Sequence, residues 1–314
     1  MKKMKFREAA ETLLKGDGRA LGAAISKIHS FKEIGFKTFE SLFYSCVTPV
    51  LDYCSGVWGF DNFSCVDNVQ NRALRYFLGL HRFTPHLALS GEVGWLPSTE
   101  RRWLNMFRLW NRLIRMEDSR LTKKGFYWDY SMQGVCCSQI DNLCEMLGIN
   151  HVFLNLLTLN IKEIERKLFE YTENLWLERL TTFPKLRTYI KFKNKYTLEN
   201  YVLSPTLSKQ ERSAFAQFRC GILPIRVETG RLRNEHLHER VCIFCENNCF
   251  EDEEHFLVKC PLYSNLRKKY FHMFGSEHFD NNRYLFITLV NDYPIQTAKF
   301  VNSAFNLRKE MLHK

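Results

Sequence analysis

An apolar residue at every third or fourth position along three long segments constrains the fold of this chain more than any other feature. In one segment, Trp103, Phe107, Trp110 and Ile114 follow one another at intervals of four, three and four residues. That spacing places the side chains on one face of an α-helix. Helices are predicted over 63–80, 98–116 and 161–180, with a fourth over 207–220 after Ser204-Pro205. The sequence therefore predicts a mainly α fold.

The chain has 314 residues, which is long enough to bury a core without disulfides. We expect an elongated molecule made of three consecutive parts. These are a helical region over 1–135, a helical linker over 136–203 and a small C-terminal module over 204–314. Two glycines and several aromatic residues predict an irregular connector from Thr122 to Gly134.

The first eighteen residues are charged and lack the apolar stretch of a secretory signal. The most apolar window, 41–60, contains Pro49 and Asp52, so we interpret it as buried core and not as a membrane span. A cytoplasmic or nuclear protein that is not secreted is therefore expected. The 11 cysteines are then free thiols or metal ligands, because disulfides are rare in reducing compartments.

Four potential metal ligands follow the pattern C-x2-C-x9-H-x4-C: Cys242, Cys245, His255 and Cys260. Two thiolates on a tight turn, with an imidazole and a third thiolate on the next element, can form a tetrahedral site that suits zinc. Because four protein ligands leave no open position, one structural zinc ion per chain is expected. The alternative is that four unrelated residues of a cysteine-rich chain fall at these positions by chance.

The surroundings of this motif are acidic. The segment 239–260 has six acidic and two basic residues, a formal charge of −4. Because an acidic surface repels phosphate, this segment is expected to stabilise the C-terminal fold and not to bind a nucleic acid backbone. Cys249 is a second choice of ligand, since it would form a C-x3-C pair with Cys245.

A stripe of arginines follows the predicted helix over 98–116. Arg101, Arg108, Arg112 and Arg115 are separated by seven, four and three residues, so they share the helical face opposite the apolar one. Arginine is well suited to binding phosphate, and no acid lies four residues from any arginine of the stripe. We predict that the stripe binds RNA or DNA, and a solvated helical face is the alternative that stays open.

A second basic block, 185–195, holds five cations and no acid. Lys191 and Lys193 of this block alternate with aromatic residues, a combination that can neutralise phosphates and stack on bases. These two lysines are therefore added to the predicted nucleic-acid-binding residues. The formal net charge of the whole chain, +11, also favours an anionic partner.

Several short motifs occur together along most of the chain. They are LDYCSGVWG (51–59), QNRA (70–73) with Gly79-Leu80, GWLP (94–97), QFRCG (217–221), ETG (228–230) and the closing Cys/His set. In this order they resemble the post-polymerase segment of non-LTR, LINE-type retrotransposon reverse transcriptases, most of all the jockey-like elements. The resemblance implies that 1–135 is a thumb-proximal region and that 242–260 is a terminal CCHC zinc knuckle. It also implies binding of element RNA and target DNA.

The chain departs from this family at the catalytic centre. Polymerases of the family coordinate magnesium with adjacent aspartates, and none of the ten aspartates here is next to another. We therefore expect a truncated reverse-transcriptase fragment that binds RNA or DNA, is not an enzyme and has no membrane partner. A protein-interaction remnant, or a transposon relic without a selected molecular function, is the alternative. The oligomeric state and the preferred nucleic acid stay open.

Overall fold

Helices dominate the computed structural model, which describes residues 7–30, 33–61, 63–245, 248–274 and 282–313. Within these residues the only β-structure is an isolated antiparallel bridge between Val241 and Phe250. The predicted mainly α fold class is therefore confirmed. Among the described helices, none combines the length and the apolar character that crossing a lipid bilayer requires.

The α-helices are numbered in chain order. Their bounds are α1 Arg7–Ser30, α2 Phe36–Leu42, α3 Thr48–Leu51, α4 Ser55–Trp58, α5 Ser64–Leu78, α6 His86–Val93, α7 Ser98–Ile114, α8 Leu121–Ser131, α9 Val135–Met146, α10 Asn150–Leu154, α11 Ile161–Thr181, α12 Asn200–Leu203, α13 Lys209–Arg219, α14 Arg226–Leu232, α15 Ser264–Tyr270, α16 Asn282–Asn291 and α17 Pro294–Leu312. Single π-helical turns lie at Phe43–Val47 and His255–Lys259. Short 3-10 turns lie at Pro184–Leu186, Tyr189–Lys191, Leu237–Glu239 and Pro261–Tyr263.

The four predicted helices correspond to α5, α7, α11 and α13. The predicted connector from Thr122 to Gly134 is wrong, because α8 fills most of it. Phe126 is buried and packs edge-on against Trp110, with 5.4 Å between the ring centroids. This tertiary contact outweighs the low helix propensity of Gly125, whose missing side chain faces open space.

The chain forms two compact units whose segments alternate along the sequence. Unit 1 consists of the described residues of Met1–Lys32, Thr38–Ala73 and Trp95–Trp176, and unit 2 of those of Glu33–Lys37, Leu74–Gly94 and Leu177–Lys314. The sequence-based division at 135/136 and 203/204 assumes parts that are consecutive along the chain. It stays a prediction.

In unit 1, α7 supplies the centre of a hydrophobic core. Phe107 and Trp110 are buried there among apolar residues of α8 to α11. The Trp110 indole donates a hydrogen bond to the Leu157 carbonyl (2.9 Å), and the Asn111 amide pairs with both backbone groups of Leu159 (2.8 and 2.7 Å). These bonds fix the rotation of α7 about its axis, so they decide which of its residues reach the surface.

In unit 2, α13 packs along α17 around an aromatic core. Phe256 lies at the centre of this core, 4.7 Å from the Tyr263 ring and 6.1 Å from the Phe218 ring between centroids. Phe256 directly follows His255 in the sequence. Burial of this ring therefore anchors the segment that carries two of the predicted metal ligands.

Candidate metal centre and cationic groove

The four predicted metal ligands meet in unit 2. The ligand atoms of Cys242, Cys245, His255 and Cys260 all lie within 4.8 Å of one another. The Cys260 Sγ is 3.8 Å from the Cys242 Sγ and 3.7 Å from the Cys245 Sγ, and the His255 Nε2 is 3.3 Å from the Cys245 Sγ. Tetrahedral zinc with bonds of about 2.3 Å to sulfur and 2.0 Å to nitrogen requires S–S edges of about 3.8 Å and S–N edges of about 3.5 Å. The donor set therefore fits a four-coordinate metal ion.

An isolated antiparallel bridge lies next to the first two ligands. It joins Val241 to Phe250, and the Cys242 N–H donates to the Cys249 carbonyl at 2.8 Å. The bend at Ile243 and Phe244 then turns both thiols to the same side. Cys249 contributes its backbone to the turn, and the cluster of metal-ligating atoms does not include its thiol.

A π-helical turn brings the other two ligands together. His255 begins the turn and Cys260 follows it, with the Cys260 N–H donating to the His255 carbonyl at 2.9 Å. In an α-helix, residues five apart would point about 140° away from each other. The wider i to i+5 turn places both on one side, which explains the x4 gap of the motif.

The three thiols of the centre differ in how readily each loses its proton. A hydrogen bond from the Cys260 thiol lowers the pKa of Cys242 well below its usual range, and the same bond raises the pKa of Cys260. Burial raises the pKa of Cys245 to about 11. A metal ion that binds all three thiolates must therefore displace protons from Cys245 and Cys260.

Four of the six acidic residues around the motif, at 251–254, do not form the open acidic surface expected from the sequence, and Glu246 lies outside the described residues. Buried Glu251 accepts hydrogen bonds from the Arg308 guanidinium (2.5 and 2.9 Å) and from the Arg226 N–H (2.8 Å). Asp252 caps the His255 N–H at 2.8 Å. The expectation that these carboxylates repel phosphate is therefore wrong, because they form hydrogen bonds and ion pairs inside unit 2.

Much of the pairing is with the second basic block. Lys185 pairs with Glu228, Arg187 lies 4.0 Å from Glu253, and Lys191 lies 3.7 Å from Glu254. Lys193 is buried, pairs with Glu199 and donates to the Thr197 carbonyl at 2.7 Å. Lys191 and Lys193 therefore leave the predicted nucleic-acid-binding set, because their charges are neutralised within the fold.

Among these acids, Glu253 has a buried carboxyl whose charged form is disfavoured by its surroundings. Burial raises the pKa of its carboxyl, although the Arg187 charge and the Thr188 hydroxyl (2.8 Å) lower it in part. A raised pKa in the folded chain means that stability is lost as the pH rises through that pKa.

We expect Glu253→Gln to raise the free energy of unfolding at pH 8, by up to about 1 kcal/mol. The amide oxygen can still accept the Thr188 hydrogen bond, and the half-exposed Arg187 is solvated. Below about pH 4, where the carboxyl is protonated in both states, the two proteins should be equally stable. Urea unfolding at both pH values measures the difference, and a variant clearly less stable than wild type at pH 8 would contradict this prediction.

Arg101 is also removed from the predicted set. Its Nε lies 2.5 Å from the Asp52 carboxylate, its Nη1 donates to Gln70 at 2.6 Å, and the side chain is buried. Gln70 in turn donates to the Leu96 carbonyl at 3.2 Å. Three of the short motifs, at 51–59, 70–73 and 94–97, therefore meet at one buried hydrogen-bonded cluster of unit 1.

Arg108 and Arg112, on the second half of α7, and Arg115, at its C-cap, lie where the sequence predicts them and are exposed. Together with Arg120 they line an open groove of about 610 Å³ in unit 1, called here the cationic groove. The rest of its lining is Asn111, Met116, Glu117 and Ile161. Within the described part of the chain, none of the four guanidiniums pairs with a carboxylate.

Arg120 is the site residue that the sequence reasoning missed. It lies beyond the end of α7, at the N-cap of α8, so helical spacing does not relate it to the other three arginines. The turn of Met116 to Ser119 brings it back to the groove, with the Arg120 N–H donating to the Glu117 carbonyl at 3.1 Å. Only the observed position of α8 reveals this contribution.

Comparison of the chain with protein-family models, with curated proteins and with solved structures finds no match.

Proposed function

We propose that this protein binds nucleic acid through the cationic groove and holds a structural zinc ion at the Cys3His centre. The observation that carries the proposal is the groove itself, where four arginines converge without an acidic partner among the described residues. Guanidinium groups bind phosphate oxygens with paired hydrogen bonds, so such a groove suits a polyanion. The chain is proposed to bind without polymerising, because it has no pair of adjacent aspartates for two catalytic metal ions.

Zinc is the proposed metal because of the donor set. Three thiolates and an imidazole in a small tetrahedral cluster suit zinc better than magnesium or calcium, which prefer oxygen ligands. All four positions are taken by protein, so the ion would hold the fold together and activate no water. Such an ion would join the 242–245 turn to the 255–260 turn at the edge of the aromatic core.

The family proposed for this chain is the non-LTR retrotransposon reverse transcriptases, as their post-polymerase segment. The collinear motifs and the compact Cys3His cluster support this proposal. The proposed ligands are RNA and DNA, in a cytoplasmic or nuclear compartment. No specific observation favours the alternative of a protein-interaction remnant.

We expect the triple variant Arg108→Gln, Arg112→Gln, Arg115→Gln to lose most nucleic acid binding. Each phosphate contact contributes about 0.7 to 0.9 to the slope of log affinity against log salt, so the slope should flatten by about 2 to 3. Glutamine propagates a helix about as well as arginine, so the fold should persist. Fluorescence anisotropy of a labelled oligonucleotide across a salt series, for both proteins, measures the change.

A variant with the same loss of charge elsewhere is the matched control. Arg82→Gln, Arg179→Gln and Lys268→Gln remove three exposed cations of unit 2. If long-range charge alone governed binding, this control would lose as much affinity as the groove variant. Equal slopes for wild type and the groove variant would remove the groove from the binding surface.

A further inference from the structure

Two exposed aromatic residues of α8 follow the last arginine of the cationic groove in the sequence. Arg120 lines the groove at the N-cap of α8, and Tyr127 follows seven residues later, two turns along the same side of the helix. Trp128 is the next residue. Both rings are exposed, Tyr127 by 40% and Trp128 by 58%.

Contacts with the end of α7 hold Tyr127 beside the groove. Its hydroxyl donates to the Asp118 carboxylate at 3.2 Å, within the turn that carries the groove residues Met116, Glu117 and Arg120. The Lys123 ammonium lies 4.7 Å from the centre of its ring. The same ammonium donates to the carbonyls of Leu113 and Ile114, at 2.8 and 2.9 Å, where α7 ends.

Trp128 differs from the other tryptophans of the chain. Trp58, Trp95, Trp110 and Trp176 are buried, and Trp103 is half-buried. Trp128 turns most of its indole to solvent, and within the described residues it stacks on no other ring. Trp128 is thus a large apolar face in water, one residue from the Tyr127 ring that Asp118 holds at the end of α7. Together with the arginines of the groove, which pair with no carboxylate of the described residues, such a face indicates a ligand with both negative charge and flat apolar surface.

We infer that the cationic groove and the two rings bind single-stranded nucleic acid, with phosphates on the arginines and bases stacked on Trp128 and Tyr127. In a duplex the faces of the bases are covered by their neighbours, so only an unpaired strand can offer them to the rings. A surface that binds duplex would contact its phosphates through the arginines and would not need the two aromatic rings. This inference rests on the proposed function, since it assigns the class of nucleic acid to the same groove.

Trp128→Leu tests the inference, because it removes the aromatic ring and keeps an apolar side chain at an exposed position. The probes are an oligothymidine of about twelve nucleotides, a duplex of the same length and a strand of the same length whose bases are replaced by abasic sites. Wild type should bind the oligothymidine with quenching of tryptophan fluorescence. Trp128→Leu should bind it about tenfold more weakly and lose most of the quenching. Affinity for the duplex and for the abasic strand should change less than twofold.

Met132→Ala is the control, since it truncates another exposed apolar residue at the end of α8 and keeps both aromatic rings in place. It should bind all three probes like wild type. If Trp128→Leu binds oligothymidine as wild type does, while the triple arginine variant has lost binding, the stacking inference is overturned and the proposed function stands. If the triple arginine variant keeps its affinity for every probe, both are overturned.

Discussion

Chain purified without chelator should carry close to one zinc ion, and Cys242→Ser combined with Cys245→Ser should carry none. The two serines remove half of the ligands from a cluster in which every ligand atom lies within 4.8 Å of the others. The binding free energy of a structural zinc ion, about 10–16 kcal/mol in small zinc domains, is coupled to folding. We therefore expect the melting temperature to fall by at least about 10 °C. Elemental analysis and thermal unfolding measure the two effects.

Cys249→Ser is the matched control for this experiment. Cys249 is exposed and lies four residues from Cys245, its carbonyl accepts the Cys242 N–H, and its thiol lies outside the cluster of ligand atoms. The variant should keep both the zinc and the melting temperature of wild type. Retention of a full equivalent of zinc by the double variant would disprove the assignment of the ligands. Loss of zinc from Cys249→Ser would instead show that the Cys249 thiol is a ligand.

Glu92→Gln should lower the free energy of unfolding by about 3 kcal/mol or more. The Glu92 carboxylate is fully buried in unit 2 and accepts hydrogen bonds from Arg219 Nε and Nη2 (2.8 and 3.0 Å) and from the Tyr201 hydroxyl (2.7 Å). The guanidinium is also fully buried, 4.7 Å from the centre of the Phe192 ring. Removing the charge of Glu92 leaves Arg219 with Glu199 as its remaining carboxylate, at 3.0 Å.

Three further variants separate the effect of a buried charge from a general sensitivity of the fold to substitution. Glu170→Gln breaks an exposed ion pair with Arg166 in α11 and should cost less than about 0.5 kcal/mol. Glu92→Leu combined with Arg219→Met replaces both charges by apolar groups. Because neither charge is then left buried alone, the combination should be less destabilised than Glu92→Leu by itself. Additive losses in chemical denaturation would contradict this account.

The effect of Glu92→Gln should also depend on pH. Burial alone would raise the pKa of the Glu92 carboxyl, but the charge and hydrogen bonds of Arg219 lower it below its usual value. A lowered pKa in the folded chain gives stability that is present above the unfolded pKa and lost as the pH falls. The difference between wild type and variant should thus be complete at pH 7 and shrink below about pH 4. Glu253→Gln should show the opposite sign at high pH.

Features of local geometry could be predicted from the sequence alone. The 4, 3, 4 spacing of Trp103, Phe107, Trp110 and Ile114 predicts α7 and its core face, because a helix repeats every 3.6 residues. The spacing of the Cys/His motif predicts which four residues meet, since ligands a few residues apart can be joined by single turns. The π-helical turn over His255–Lys259 could not be predicted from the spacing, and it carries Phe256, which is buried in a core built from distant segments.

Whether each charged side chain is paired inside the fold or exposed to solvent was decided by the tertiary structure. Arg101 and Arg108 share one face of α7. Only Arg101 is buried and pairs with Asp52, which lies 49 residues earlier. In the sequence, the acidic segment near the metal centre and the basic block at 185–195 look like two surfaces of opposite sign. In the structure they pair with each other, in contacts such as Lys191 with Glu254 at 3.7 Å. Helical spacing reports the direction in which a side chain leaves its own helix. What stands opposite that side chain, a carboxylate or water, depends on distant segments, so only the fold leaves Arg108, Arg112, Arg115 and Arg120 exposed at one groove.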